Sequence, residues 1–493
     1  MSESAALARA RAYCAAALHT QARELYPVFH ATGGVGWIND PNGFSVYRGE
    51  YHLFFQYHPY DTIWGPMHWG HVKSRDFLHW ERLPVALAPD MPYDADGCFS
   101  GSAVELPDGR QMLMYTGVRG SGEGDTEVFQ TQCLALGDGR DYVKYARNPV
   151  LDGSAVPEGG SVRDFRDPRI WREDGRYYAV AGNRSADGSG AILLYESDDA
   201  FTWRFVTVLD ASGGEYGKMW ECPDFFPLDG KQWLLTSPQE MRADAGGEYH
   251  DGYGTLAIRG SYAPEGHIWK RERMQTVDYG PDFYAPQTLL TPDGRRVMIA
   301  WMQDWDTAPF RTGALPFHGQ MTLPRELRMQ NGRLYQTPVR ELEACRGRTV
   351  TADGVALDGE TELPGVRGRV LDLRVRLRPE AGGAPYRAFR LSVARGEGYE
   401  TEILCLPEEG TVRVRRRAGF PEELCNERAF PADIGGGDFS LRVLLDRWSM
   451  EVFVNEGERA SSWVLYAPQT AEGIRFASEG ALRMDVRCSE LVL

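Results

Sequence analysis

Cysteine is sparse and unpatterned in this chain of 493 residues. Cys14, Cys98, Cys133, Cys222, Cys345, Cys405, Cys425 and Cys488 stand apart, with no C-x-x-C pair. That spacing argues against both a zinc site and a disulfide framework. Positive charge is in deficit: 54 Lys and Arg face 70 Asp and Glu, for a net charge of −16. Polyanionic partners are therefore disfavoured, so neither nucleic acid nor a membrane surface is expected. Long apolar runs are missing too. No stretch approaches the roughly 20 residues of a membrane span. The Ala-rich start is interrupted by Arg9, Arg11 and Arg23 and lacks the basic region and apolar core of a signal peptide. The expectation is a cytoplasmic, reducing environment.

What is present is turn formers and aromatics. Gly 55 and Pro 29 imply many turns and short strands, and 13 Trp with 23 Tyr suit aromatic-lined sites. The length exceeds one ordinary core, so two domains are expected. Residues 5–25 favour helix, being rich in Ala, Leu, Arg and Gln without Pro or Gly. From about residue 30 the chain turns to short β-rich runs.

Five of these runs share one form, a glycine turn followed by a mostly apolar strand. The glycines are Gly49, Gly109, Gly175, Gly230 and Gly294, spaced 55 to 66 residues apart, and four follow an Asp. Asp-Gly between apolar runs is a strong hairpin signal. A second echo sets Ser74–Trp80 against Ser197–Trp203. Five repeats of this kind predict a five-bladed β-propeller with long loops; the alternative is a large irregular sandwich. Beyond residue 345 the pattern becomes period two, as in Leu371, Leu373, Val375 and Leu377 with polar partners between them. This predicts a β-sandwich with solvated, Arg-rich outer faces. The fold class is thus all-β, with an N-terminal helical segment (1–26), a propeller (27–338) and a β-sandwich (345–493).

The repeat also positions three acids. Asp40, Asp167 and Glu221 lie nine, eight and nine residues before the glycines of their repeats. If that segment is the innermost strand, all three point to the propeller axis. Their settings are Trp37-Ile-Asn-Asp-Pro-Asn-Gly43, Phe165-Arg-Asp-Pro168 and Trp220-Glu-Cys-Pro-Asp224. Arg166 favours an ionised carboxylate beside it, and the Trp220/Cys222 flanks give Glu221 an apolar setting suited to a proton donor. One ionised and one protonated acid across a bond is the machinery of glycoside hydrolysis. Ser100 and Tyr284 fall at matching places in the other two repeats. The blander readings are a turn, a salt-bridged turn and a strand end.

These three motifs, in this order, resemble glycoside hydrolase family 32, the β-fructofuranosidases. So do Trp64–His71, Asp76–Trp80, Asp96–Ser102, Asp278–Gln287, Leu323–Leu327 and, in the second domain, Leu445–Asn455. The resemblance implies a five-bladed propeller followed by a β-sandwich. It makes Asp40 the nucleophile, Glu221 the acid/base and Asp167 a stabiliser of the transition state. It implies that Asn39, Gln56, Trp64, Phe99, Ser100, Arg166, Tyr284 and Trp301 line the fructose-binding subsite or its rim. Asn39 and Asn42 are expected to hold Asp40 by hydrogen bonds. A retaining reaction places the Asp40 and Glu221 carboxyls about 5 Å apart. No cofactor or metal is implied. His68, His71 and His79 are read as structural. The expected partner is a small sugar: sucrose, sucrose 6-phosphate or a short fructo-oligosaccharide. The β-sandwich is expected to buttress the propeller; a homodimer through it, or sugar binding by it, is the alternative.

One departure bears on the substrate. Where the family often has Gly-Trp-Ala-Gly, this chain has Phe317-His-Gly-Gln-Met-Thr322. Lys218, Arg311 and His318 are the candidates for receiving a phosphate at the entrance. A fructosyltransferase or exo-fructanase on the same scaffold is one rival reading. A non-catalytic carbohydrate-binding propeller is the other.

Overall fold

The computed structural model describes residues 3–19, 21–120, 128–311, 314–380, 386–417 and 423–493. The first element is a helix, Ala5–Leu18, capped by Ser4, whose hydroxyl accepts from Leu7 N. It ends earlier than composition predicts. A separate 3-10 turn, Arg23–Leu25, follows. Leu7 and Ala10 of the helix are buried in a cluster with Phe29, Phe55 and Val72. Among the described residues no helix is long and apolar enough to cross a membrane.

Five sheets follow, each built as a meander from the inside outward. Their inner strands are Gly36–Tyr47, Gly97–Glu105, Arg166–Glu173, Met219–Leu228 and Tyr284–Leu290, which define blades 1 to 5. The predicted glycine turns join the first and second strands of each blade. Two use the same Pro-Asp-Gly-Arg sequence: the amide of Gly109 donates to the Leu106 carbonyl, and that of Gly294 to the Thr291 carbonyl. Pro at the first corner and Gly in the left-handed region fit a type I turn with a bulge. The Ser74 and Ser197 echoes are also one structure used twice. Asp76 and Asp199 each accept two backbone amides, and Phe77 and Ala200 follow at φ of 64° and 69°.

Second strands such as Gln111–Arg119 are buried along nearly their whole length. Each blade packs both faces against neighbours, so the strand needs apolar residues on both. Separate apolar layers fill the seams. Phe54, Trp69 and Tyr115 lie between blades 1 and 2, Met114, Phe165 and Ile170 between 2 and 3, Trp220, Ile192 and Leu234 between 3 and 4, and Trp233, Phe226 and Met298 between 4 and 5.

Near the axis the inner strands are tied by side chains instead of a shared ladder. Asn42 accepts the amide of Gly101, and Gln287 accepts Phe44 N and donates to the Gly101 carbonyl. Asp224 pairs with Arg169 at 2.9 Å and accepts the amide of Thr288. Each buried polar group answers a backbone group that the converging strands leave without a partner. Phe317–His318 returns to lie parallel to the inner strand of blade 1.

The C-terminal domain is one ten-stranded sheet folded over a single core. Strand Gly473–Leu491 does the folding. Its first half pairs with Ala388–Gly396 and its second with Leu371–Pro379. The outer arginines are solvated in part, and Arg346, Arg374 and Arg442 converge on buried Asp372.

Candidate active site

All five inner strands break register with their neighbours at the same level. The residues skipped are Asn39-Asp40, Ser100, Asp167-Pro168, Cys222-Pro223 and Ala285-Pro286. A bulge turns a side chain out of its normal alternation and bends the strand. Proline is tolerated there because the bulged residue has no ladder bond to give. Asp167, Cys222 and Ala285 adopt φ of 62°, 47° and 53°, a conformation costly for residues with a Cβ. Five bulges at one height gather their side chains at one end of the axis.

The result is a cavity of about 560 Å³. Its wall includes Asp40, Asp167 and Glu221, together with Asn39, Gln56, Trp64, Phe99, Ser100 and Arg166. Asp40 Oδ2 accepts from the Ser100 hydroxyl at 2.8 Å and lies 3.6 Å from the Cys222 thiol. The same thiol is 3.5 Å from Asp167 Oδ2, which also accepts the Cys222 amide at 3.1 Å. The Asp167 amide donates to Thr116 Oγ1 of blade 2. Trp64, 43% exposed, meets Phe99 edge-on at 6.1 Å and forms the rim. The Gln56 amide donates to the Cys98 carbonyl.

Several local expectations are revised. Arg166 serves Glu221 more closely than Asp167: its guanidinium is 2.9 Å from Glu221 Oε1 and 4.0 Å from Asp167 Oδ2. Glu221 is accordingly in a polar setting, because Tyr284 reaches its other oxygen at 2.7 Å. Of its sequence neighbours, Trp220 packs into the seam between blades 3 and 4, and Cys222 turns its thiol to Asp40 and Asp167. Asn42 is spent on Gly101, and the hydroxyl on Asp40 comes from Ser100. Tyr284 is buried behind Glu221, and Trp301 is fully buried against Trp37. Neither lines the cavity wall as described; Trp305 and Tyr253 do. Trp305 meets Trp301 edge-on at 5.2 Å, so the aromatic face at this place comes from four residues further along. Gln130, Arg163, Asp164 and Gln239 also line the cavity. They sit on a loop, a second strand and a third strand, where the hairpin spacing carries no signal.

Burial, the charge of Glu221 and the proximity of Asp40 push the Asp167 carboxyl up, against the pull of Arg166. Asp40 is pushed up by burial and Glu221, with Ser100 and Asn39 opposing. Three carboxyls this close do not all ionise freely.

The phosphate candidates fall into different places. His318 is buried and stacked on Trp37 at 4.8 Å, and burial pushes it down to about 4. It is neutral and away from the entrance. Lys218 pairs with Glu240, and Arg311 donates to Thr62. The other histidines act within the fold: His71 pairs with His52 at 3.0 Å, His68 with the Pro66 carbonyl and His79 with Asp76. All eight cysteines are free thiols. A second cavity, about 660 Å³, lies between blade 5 and the C-terminal domain, and none of the three acids reaches it.

Comparison with known proteins follows the same division of the chain. Residues 30–338 match the glycosyl hydrolases family 32 N-terminal domain, and 341–490 the glycosyl hydrolases family 32 C-terminal domain. The chain is 38% identical to a raffinose invertase of Escherichia coli, covering 90% of this chain and 89% of that one. It is 35% identical to an Escherichia coli sucrose-6-phosphate hydrolase, covering 92% of each. A Bombyx mori GH32 beta-fructofuranosidase superposes with a TM-score of 0.84 at 35% identity, over 99% of this chain and 98% of that one. A variant of that protein has been solved in complex with sucrose.

Proposed function

The chain belongs to glycosyl hydrolase family 32 and is a β-fructofuranosidase, and from that premise we propose a retaining mechanism carried by Asp40 and Glu221. Asp40 attacks the anomeric carbon of a terminal fructofuranosyl unit while Glu221 protonates the departing glycosidic oxygen. A fructosyl ester on Asp40 forms as the glycosidic bond breaks. Water then attacks the same carbon, gives a proton to Glu221 and releases fructose and free Asp40. Asp167 accepts hydrogen bonds from fructosyl hydroxyls, and these strengthen as positive charge grows on the ring.

The observation that carries this reading is the placement of three carboxyls from three blades around one cavity, each held differently. Asp40 is fixed by Ser100. Glu221 is held on both oxygens, by Arg166 and Tyr284. Such rigid placement reduces the reorganisation needed at the transition state. The substrates are sucrose, sucrose 6-phosphate or short fructo-oligosaccharides; relatives named for raffinose and for sucrose 6-phosphate, and a structure with sucrose, support that range.

Asp40→Ala is expected to lower kcat on sucrose by about 10⁴-fold or more, and Glu221→Ala by about 10²- to 10⁴-fold. Both should keep the wild-type circular dichroism spectrum. Normal turnover by Asp40→Ala would overturn the mechanism. The anomer first released, read by NMR, separates retention from inversion. Rates on sucrose, sucrose 6-phosphate and 1-kestose rank the leaving groups.

A further inference from the structure

The Tyr284 hydroxyl has one proton and two acceptors in reach. Its oxygen lies 2.7 Å from Glu221 Oε2 and 2.9 Å from the Ser237 carbonyl. Both separations are ordinary for O–H···O bonds. A carbonyl cannot donate, so the arrangement has two states. With Glu221 ionised, the hydroxyl proton serves Oε2. With Glu221 protonated on Oε2, the carboxyl can donate to the Tyr284 oxygen while the tyrosine donates to Ser237. Every donor then has an acceptor in either state.

We propose that Tyr284 is a positioning residue that follows the protonation of Glu221, its hydroxyl turning from the Ser237 carbonyl to Glu221 Oε2 as Glu221 gives up its proton. The idea rests on the acid/base role given to Glu221 above. In the first step the Glu221 proton passes to the glycosidic oxygen, that C–O bond breaks and the Asp40–carbon bond forms. Tyr284 exchanges no proton; it reorients toward the new carboxylate. In the second step water attacks the anomeric carbon, the Asp40 ester bond breaks, a water proton returns to Glu221 and the hydroxyl turns back.

The surroundings suit such a device. Glu221 Oε1 is fixed by Arg166, with Nε and the second terminal nitrogen each at 2.9 Å. Only Oε2 is left to exchange a proton between the substrate side and Tyr284. The tyrosine ring is fully buried and meets Tyr253 edge-on at 5.7 Å. Its backbone is pinned one residue on, where the Ala285 amide donates to Ser237 Oγ at 3.0 Å. The ring is therefore fixed and only the O–H rotor is free. Burial and the nearby Glu221 charge push the phenol well above its ordinary range, so it keeps its proton. The titratable and charged groups facing Glu221 are Arg166, Asp167, Asp40, Cys222, Tyr253 and Tyr284.

The test is the pH profile of kcat/KM on sucrose for Tyr284→Phe. Losing a donor to the carboxylate favours the protonated acid. The alkaline limb should therefore move up by about one pH unit, while kcat falls about 10- to 100-fold. On 4-nitrophenyl β-D-fructofuranoside, whose leaving group needs little protonation, the kcat/KM loss should shrink to a few-fold at most. An unmoved alkaline limb, or equal kcat/KM losses on both substrates, would overturn the proposal. If Tyr284→Phe fails to fold, 3-fluorotyrosine at position 284 keeps the shape and donates more strongly. It should move the alkaline limb down, and no movement would again count against the proposal. A wild-type protein that cleaves no fructoside would instead refute the acid/base role itself.

Discussion

Asp167 illustrates how a residue of the cavity wall trades stability for placement. It is buried among like charges and takes its one close amide from Cys222. Its folded-state carboxyl binds a proton more tightly than it does in the unfolded chain. Its contribution to stability is therefore favourable at low pH and is lost as pH rises through the folded-state value. Asp167→Asn is expected to raise the unfolding midpoint at pH 8 by roughly a few degrees while lowering turnover, and the gain should shrink toward pH 5. Thermal scans across that range check it; a lower midpoint at pH 8 would refute the sign. At this scale the sequence singled out three acids that share one cavity, and it was a poor guide to their neighbours. Arg166 adjoins Asp167 in the chain, yet its guanidinium reaches Glu221 from the next blade. Ser100 and Tyr284 were placed by the repeat, but what each one touches depends on the bulges.

At the scale of the element, the aligned bulge is the working unit. The Asp-Gly turns and their spacing were legible because a tight hairpin needs particular residues. The bulges were not, because no residue type is obligatory in one. A partial signal was there: proline follows Asp40, Asp167, Cys222 and Ala285. Aligning those prolines would have put Cys222, not Glu221, level with Asp40 and Asp167. Two glycines test the difference between turn and bulge. Gly230 sits at φ 74° with open space around a notional Cβ. Gly230→Ala should cost about 1 kcal/mol and leave kcat unchanged. Gly101 adjoins the bulged Ser100, and a Cβ there would overlap the Met114 carbonyl. Gly101→Ala should cost more than about 3 kcal/mol and, by moving Ser100 away from Asp40, lower kcat as well. Urea denaturation with parallel assays on sucrose distinguishes the two.

For the whole molecule, the junction between the two domains is electrostatic as well as apolar. His30, just before blade 1, bridges Asp446 at 2.8 Å and Glu451 at 2.9 Å, all three buried. Glu451 also takes Arg325 and the Leu323 amide from the end of the propeller. Burial alone would push His30 down, but its two carboxylate partners hold it up at about 9. Asp446 is held down by His30, and Glu451 by Arg325 and then His30; the part shared with His30 is one interaction and is counted once. Because the folded value lies above 6.5, the stabilisation is fully present below about pH 6.5. It is lost as pH rises through about 9. The expected loss between pH 7 and pH 10 is about 2.5 kcal/mol. His30→Gln should remove most of that pH dependence and be less stable than wild type at pH 7. Denaturant titrations at the two pH values measure both.

The sequence by itself determined the repeat, the number of blades and the second domain, and it singled out three acids that the fold gathers on one cavity. Each depends on local chemistry: turn residues, strand alternation and short motifs around a carboxyl. The tertiary structure alone decided which groups hold those acids. Arg166 and Tyr284 meet on Glu221 from blades 3 and 5, and Ser100 and Cys222 meet on Asp40 from blades 2 and 4. It also moved the aromatic wall from Trp301 to Trp305 and withdrew His318 from the entrance. The physical reason is that a propeller brings its inner strands together at an axis. Contacts there are set by the height and direction of each strand's bulge, and no local stretch of sequence encodes how five such bulges align.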